Sequence, residues 1–180
     1  GSNEGLSEIS GIKVISTTEN PSSITANIGT IASNRYFAVL VGYGDAETAY
    51  TNLSNAAPVD ITLDTCTNAT YISGCFGRLS SFDTVEVNNC SNSGDITLTA
   101  KENKGNPFFG GICGGVSKAK SFTSCTNSGA ITFNATNCTV NTYFGGILGF
   151  ASVAVTLESC SNSGAITYNP TNMTKTTKRH

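Results

Sequence analysis

The sequence predicts an all-β fold, a parallel β-helix (β-solenoid) with three short strands per coil and repeats of about 35 residues. Two repeated segments support this. Copies of Cys-x-Asn-Ser-Gly-x-Ile-Thr begin at Cys90, Cys125 and Cys160, 35 residues apart, and a Gly-rich block recurs in the same phase at Phe109 and Phe144. No segment has a helical period, and Val, Ile, Thr, Tyr and Phe fill the stretches between Gly, Asn and Ser. Such a unit cannot bury its own apolar side, so we expect equivalent units to stack.

Each unit contains three segments in a fixed order. The first is the Gly-rich block Tyr143–Phe150, the second is the apolar–polar stretch Val155–Cys160, and the third is the strand Ile166–Tyr168. Weaker copies extend this order upstream, which predicts a flexible lead-in over residues 1–10, one solenoid domain over 11–170 and a tail over 171–180. A β-propeller is the alternative, but its blades usually need four strands and about 40 residues or more.

The anchoring glycines of the first segment are Gly42, Gly77, Gly114 and Gly149. In the third segment we predict one interior column of isoleucines, formed by Ile24, Ile61, Ile96, Ile131 and Ile166. The step from Ile24 to Ile61 is 37 residues, which we attribute to an insertion of Pro58 and Val59, and the step from Gly77 to Gly114 is also 37. Strand alternation then turns a threonine column outward, made of Thr25, Thr62, Thr97, Thr132 and Thr167. We interpret this face as solvated, with ice binding or glycan binding as alternatives.

Asparagines and cysteines recur between these segments. An amide ladder is expected at Asn20, Asn55, Asn92, Asn127 and Asn162, with a metal or sugar site as the lesser alternative. Two residues later, Gly94, Gly129 and Gly164 are expected to adopt positive φ.

The seven cysteines predict buried thiols. Cys90, Cys125 and Cys160 correspond to Leu53 and Thr18 in earlier units, so we expect stacked, unpaired thiols at an apolar position. Cys75 and Cys113 also match apolar positions, and Cys66 and Cys138 share a phase two coils apart. An odd number of cysteines excludes a complete disulfide framework within one chain. No Cys-x-x-Cys pair is present, and no metal or other cofactor is predicted.

An aromatic column provides the candidate ligand-binding residues. These residues lie six positions before the anchoring glycines: Tyr36, Tyr71, Phe108 and Tyr143. The following position is apolar throughout and is the better core candidate, so we predict that the first column forms an exposed aromatic stripe. Tyrosine combines an apolar face with a hydroxyl group, which suits glycan recognition. The alternative is a ring ladder that only stabilises the stack.

A family resemblance follows from these motifs. The block Phe144-Gly-Gly-Ile-Leu-Gly149, followed by Leu157-x-x-Cys160-x-Asn-x-Gly-x-Ile166, resembles the GLUG repeat of secreted and surface proteins of bacteria, notably Bacteroidetes. The resemblance spans roughly residues 36–168. It implies an exported, adhesin-like β-solenoid at the cell surface or outside the cell, and it supplies no catalytic residues.

Composition narrows the function classes. Charged residues are 12% of the chain and the net charge is −2, which argues against nucleic-acid partners and electrostatic membrane docking. No apolar run approaches the roughly 20 residues of a membrane-spanning helix, so membrane insertion is not expected. The only histidine is His180, in the tail. Asp60 and Asp95 share a phase, but Ala130 and Ala165 replace them later, so a pair of catalytic carboxylates is not indicated.

The sequence therefore predicts a non-catalytic, adhesin-like surface module that binds a glycan or a surface protein. A passive spacer of a larger surface protein is the first alternative, and a polysaccharide-active enzyme is the second. Neither terminal segment resembles a strong cap. We therefore expect either a truncated chain or end-to-end self-association, because uncovered strand edges invite pairing.

Overall fold

The structure is a computed structural model that describes residues 2–3, 8–31, 33–44, 49–80, 85–118, 120–172, 174 and 177–179. The described residues form strands and turns, with no helix among them. Every inter-strand pairing joins a strand to its equivalent in the next coil, and every such pairing is parallel. The predicted parallel β-solenoid is confirmed.

In the described part of the chain, twenty-four strands follow one another through five coils. The first coil contains β1 (Ser2–Asn3), β2 (Glu8–Ser10), β3 (Lys13–Val14), β4 (Ile24–Ile31) and β5 (Arg35–Phe37). The second contains β6 (Val41–Gly44), β7 (Ala49–Thr51), β8 (Ser54–Asn55), β9 (Val59–Cys66) and β10 (Thr70–Ser73). The third contains β11 (Phe76–Leu79), β12 (Val85–Asn88), β13 (Ser91–Asn92), β14 (Ile96–Asn103) and β15 (Pro107–Gly110). The fourth contains β16 (Cys113–Val116), β17 (Lys120–Thr123), β18 (Thr126–Asn127), β19 (Ile131–Thr136) and β20 (Thr142–Gly145). The fifth contains β21 (Val155–Glu158), β22 (Ser161–Asn162), β23 (Ile166–Thr171) and β24 (Thr177–Arg179).

The first four coils therefore have five strand segments each and the fifth has four among the described residues, so the expected three strands per coil is wrong. The five sheets are numbered here as faces 1 to 5 in the order in which a coil visits them, so β6 to β10 lie on faces 1 to 5 respectively. The Gly-rich block contributes two strands rather than one, because a tight turn separates β15 from β16. A Cβ on Gly110 would lie 1.8 Å from the Cys113 carbonyl oxygen, so only glycine fits this turn. The two-residue strands of face 3 were also missed.

The register of face 4 corrects one predicted column. The interior column is Ile24, Val59, Ile96, Ile131 and Ile166. Ile61 instead pairs with Ala26 and Leu98, so its predicted place beside Ile96 is wrong. The offset is two residues, which preserves strand parity, and Ile61 remains completely buried.

The same offset moves the outward column. Asp60, not Thr62, pairs with Thr25 and Thr97, while Thr62 lies in the next outward column between Asn27 and Thr99. Pro58 and Val59 are therefore not an insertion. The two additional residues lie between β11 and β12, because Leu79 and Val87 are eight positions apart whereas their partners Gly44 and Tyr50 are six apart.

The interior is divided into two apolar clusters. One lies between faces 4 and 5 and contains Ile96, Leu98, Phe109 and Phe133. The other lies among faces 1, 2 and 3 and contains the Cys90 and Cys125 side chains with Phe76, Phe122 and others. Aligned columns of the same residue type fill both clusters, so each coil buries its neighbour's apolar side chains.

Strand pairing extends beyond the predicted solenoid limits of 11–170. Within the predicted lead-in, β1 pairs with β6 and β2 pairs with β7. In the predicted tail, β24 pairs with β20. His180 lies outside the described residues. In the described part of the chain, no helix has the length and apolar character to cross a membrane.

Candidate functional site

The four candidate aromatic residues form one continuous stack. Each lies at the same register position of face 5, on β5, β10, β15 and β20. Along the stack the ring centroids are 5.4, 4.7 and 5.0 Å apart, and the ring planes differ by 21°, 19° and 24°. The predicted row of Tyr36, Tyr71, Phe108 and Tyr143 is therefore present, and offset stacking of this kind stabilises neighbouring coils. The following column is core, as expected: Ile72 and Phe109 are fully buried.

The predicted exposure of this stripe is wrong for its two central rings. Tyr71 is 6% exposed and Phe108 is 5% exposed, whereas Tyr36 and Tyr143 are half-buried. A second column covers the stack from face 1: Tyr43, Arg78, Gly115 and Phe150. The outer sides of faces 5 and 1 therefore meet along the aromatic stack.

Ring contacts hold this cover in place. The Tyr43 ring lies 4.9 Å from Tyr36, and the Phe150 ring lies 4.7 Å from Phe108 and 5.6 Å from Tyr143. At Gly115 the covering column has no side chain, because a Cβ there would approach the Tyr71 ring to 2.6 Å. Sequence reasoning missed the covering column, although its members all directly follow the anchoring glycines and share one phase.

Arg78 is the charged member of the cover. Its guanidinium carbon lies 5.0 Å from the centroid of the Tyr71 ring, which is cation–π geometry. Burial raises the pKa of the Tyr71 hydroxyl, and the Arg78 charge opposes this increase. The phenol therefore stays protonated at neutral pH.

An asparagine ladder runs the length of face 3. Its members are Asn55, Asn92, Asn127 and Asn162. Each Nδ2 donates to the Oδ1 of the next member, at 2.8, 2.8 and 2.7 Å, and also to the carbonyl oxygen two residues later. Asn20 is not a member, because Val14 pairs with Asn55. Direct amide bonds of this type occupy the polar atoms that a metal or sugar would need.

The glycines that follow the ladder are needed for close packing rather than for positive φ. Gly94, Gly129 and Gly164 are not among the residues with positive φ, so that expectation is wrong. A Cβ on Gly129 would lie 2.1 Å from the Gly94 carbonyl oxygen, and the other two positions are equally close to the preceding coil. The left-handed conformation occurs instead just before the cysteine column, at Asn52, Asn89, Ser124 and Ser159.

The ladder also explains why the second residue is glycine in the pairs Gly110-Gly111 and Gly145-Gly146. A Cβ on Gly111 would lie 2.3 Å from Cγ of Asn127, and a Cβ on Gly146 would lie 2.3 Å from Cγ of Asn162. Gly74 has the same relation to Asn92. The Gly-rich block and the Asn-Ser-Gly block thus pack against each other across the interior, although Gly111 and Gly146 lie 16 residues before Asn127 and Asn162.

The cysteine column is a stack of free thiols. Cys90 and Cys125 are buried, whereas Cys160, in the last coil, is partly exposed. The column continues through Leu53 to Ile12 rather than to Thr18, because Lys13 pairs with Ser54.

The other cysteines follow the predicted phases. Cys75, Cys113 and Cys138 are buried and form no disulfide, and Asn103 lies between Cys66 and Cys138. The Cys66 side chain lies outside the described ones.

The thiols of Cys75, Cys125 and Cys160 are poor nucleophiles at neutral pH. Hydrogen bonding with Cys90, together with burial, raises the pKa of the Cys125 thiol, and burial raises the pKa of Cys75 and of Cys160. Deprotonation is what makes a cysteine reactive or metal-binding. No group of three potential metal ligands occurs among the described residues.

The carboxylates of the described chain are dispersed. Asp60 and Asp95 do not share a phase: Asp60 pairs with Thr97, whereas Asp95 accepts a hydrogen bond from the Ala130 backbone amide at 2.8 Å. Asp64 forms an exposed ion pair with Lys101 at 2.6 Å on the outer side of face 4. Such exposed contacts contribute little to the stability of the fold.

The C-terminal end of the solenoid has an open cavity of about 690 Å³. Its lining includes Tyr143, Ile147, Leu148, Phe150, Val155 and Leu157. Most of this lining is apolar, and the cavity adjoins the last aromatic pair of the stack. No family model, curated protein or solved structure matches this chain.

Proposed function

We propose that this chain is a non-catalytic structural module of an exported bacterial surface protein, in which the stacked coils act as a stiff spacer. Burial of the central aromatic rings carries this proposal, because Tyr71 and Phe108 are the rings that an exposed binding stripe would need most. The stack, the amide ladder and the thiol column all run along the axis, so each of them ties one coil to the next. The GLUG-like motif is consistent with such a surface role.

A glycan-binding assay tests this proposal directly. The unmodified protein should bind no glycan above background on a glycan array, and it should act as a fixed-length rod between two fluorescent reporter domains. Dose-dependent glycan binding that is lost in a Tyr36→Ala, Tyr143→Ala variant would contradict the spacer. A Ser121→Ala, Thr156→Ala variant is the matched control, because these two residues pair on the outer side of face 2, which has none of the candidate ligand-binding residues.

Adhesion through the outer rings is the second candidate. Tyr36 and Tyr143 remain half-buried, and Tyr143 borders the cavity at the C-terminal end. The Tyr143 hydroxyl accepts a hydrogen bond from Asn141 Nδ2 at 3.4 Å, which leaves its O–H free to donate to a ligand. The same array decides between the two roles, since adhesion requires binding that depends on Tyr143.

A further inference from the structure

Four side chains form a square where the outer sides of faces 5 and 1 meet. Tyr36 and Tyr71 pair on face 5, and Tyr43 and Arg78 pair on face 1. The rings of Tyr36 and Tyr43 are 4.9 Å apart, and the Arg78 guanidinium lies 5.0 Å from the Tyr71 ring. Tyr43, Tyr71 and Arg78 lie on β6, β10 and β11, and each of these strands has a paired strand on both sides. These three residues therefore lie within the stack of coils.

The square carries hydrogen-bond donors that no described residue satisfies. The Arg78 side chain is half-buried, yet its guanidinium takes part in neither of the ion pairs and in no hydrogen bond of the described residues. The hydroxyl groups of Tyr43 and Tyr71 likewise have no hydrogen-bond partner there. Every buried side-chain oxygen in that part of the chain has a partner, so both hydroxyl groups reach solvent.

The same groups are close enough to act on one another. Burial raises the pKa of the Tyr71 phenol, the Arg78 charge lowers it, and the neighbouring Tyr36 and Tyr43 raise it. Tyr71 therefore keeps its proton at neutral pH and remains a donor beside a permanently charged guanidinium. The planar fork of a guanidinium matches the two oxygens of a carboxylate, whose single charge balances that of Arg78.

The ring faces of the square are already occupied. Tyr71 is stacked between Tyr36 and Phe108, with ring centroids 5.4 and 4.7 Å away. A sugar that packs on an aromatic face would need one of these surfaces, whereas an anionic group needs only the hydroxyl edge and the guanidinium. The geometry thus favours a carboxylate on a flexible side chain over a sugar ring.

We propose that Arg78, together with the hydroxyl groups of Tyr43 and Tyr71, binds a carboxylate side chain of an acidic peptide segment of a partner protein. The positive charge of the site and its O–H and N–H donors are complementary to that group. This inference goes beyond the proposed spacer and does not depend on it, since a stiff module can also carry a docking site on its side.

Binding of a fluorescein-labelled hexaglutamate peptide, followed by fluorescence anisotropy at low ionic strength, tests the proposal. The hexaglutamine peptide should not bind, because it lacks the charge. Arg78→Gln should weaken hexaglutamate binding about tenfold, the effect of losing a charge-assisted hydrogen bond. Arg78→Lys should recover only part of the affinity, because lysine keeps the charge without the fork. Lys13→Gln is the matched control, since it removes the same charge from face 3, which contributes no residue to the square.

Two further measurements separate the site from a general attraction of charges. Tyr43→Phe keeps the ring against Tyr36 but removes one donor, so it should weaken binding several-fold without changing the circular dichroism spectrum. In the unaltered protein, the NMR signals of the arginine Nε–H groups report each site directly. The chain has arginines at 35, 78 and 179, and the Arg78 signal should shift on titration with the peptide while that of Arg35 stays in place.

Three results would overturn the proposal. The first is unchanged hexaglutamate binding in Arg78→Gln, and the second is an equal loss in Lys13→Gln, which would indicate attraction to charge alone. The third is binding of polygalacturonate through Arg78 without binding of the peptide, which would assign the site to an acidic glycan. Failure of the peptide to bind leaves the spacer standing, whereas neutral glycans bound on the array would contradict the spacer and not the peptide site.

Discussion

Replacing Asn92 with alanine removes a central rung of the face 3 ladder. The Asn92 side chain is 1% exposed and makes three amide hydrogen bonds, all at 2.8 Å: it donates to Gly94 O and Asn127 Oδ1 and accepts from Asn55 Nδ2. Three bonds at about 1 kcal/mol each, plus about 1–3 kcal/mol for a buried donor left unsatisfied on Asn55, give an expected loss of about 4–6 kcal/mol in unfolding free energy. This would be a large part of the stability of a single domain.

Asn162→Ala is the matched control. The same residue type occupies the same column, but its side chain is exposed at the open end, where water can replace the lost bonds. Its expected cost is about 1 kcal/mol or less. Urea denaturation of both variants, with an unchanged slope and a shifted midpoint, gives the two values. Equal losses in the two variants would refute the ladder argument, because burial is what separates them.

Three further predictions concern the glycines and the thiols. Gly111→Ala should destabilise the fold by about 2 kcal/mol or more, the scale of an overpacked core, because the new Cβ would clash with Asn127. Gly29→Ala is the control, since a Cβ there has open space around it and should hardly change the melting temperature. Cys125→Ser should lower the free energy of unfolding by about 1–3 kcal/mol, because it buries a poorly satisfied hydroxyl group. Cys160→Ser should lower it by less, because this position is partly exposed. Urea midpoints that rank the two variants in the reverse order would contradict this prediction. Burial raises the pKa of the Cys75 thiol in the folded state above its ordinary value of 9.0. Above pH 9 the unfolded chain therefore loses this proton while the folded chain keeps it, so the free energy of unfolding falls as the pH rises. The fall is at most about 1.4 kcal/mol per pH unit, and below pH 9 the contribution of this thiol to stability is complete. Stability measured from pH 8 to 10.5 should fall less steeply in Cys75→Ala, and identical slopes would count against a thiol buried in its neutral form.

The repeat alone determined the parallel stacking. Residues such as Ile96, Ile131 and Ile166 recur at 35 positions, and a chain that buries them must place them side by side. The sequence also predicted which side chains of each strand point inward, since the alternation around each isoleucine separates the interior from the solvated side. The thiol column was predictable for a similar reason, because Leu53 occupies the same phase as Cys90.

The misplaced columns have a local cause. The Ile-Thr pair at Ile61 mimics the later units, but the backbone pairs Val59 with Ile96 because the two extra residues lie in the connection after Leu79. A two-residue shift keeps the same side chains inward, so hydrophobic pattern alone does not distinguish the two registers. Asn20 was included in the ladder for a similar reason, since its spacing from Asn55 matched the repeat while Val14 occupies the actual position.

The exposure of the aromatic row was decided only by the tertiary structure. Phase and residue type correctly predicted that Tyr36, Tyr71, Phe108 and Tyr143 would stack, because both are properties of one strand position repeated along the axis. Whether the rings meet solvent depends on contacts between the outer sides of faces 5 and 1. These contacts place Arg78 and Phe150 over the rings, and no spacing along the chain encodes a contact between two faces.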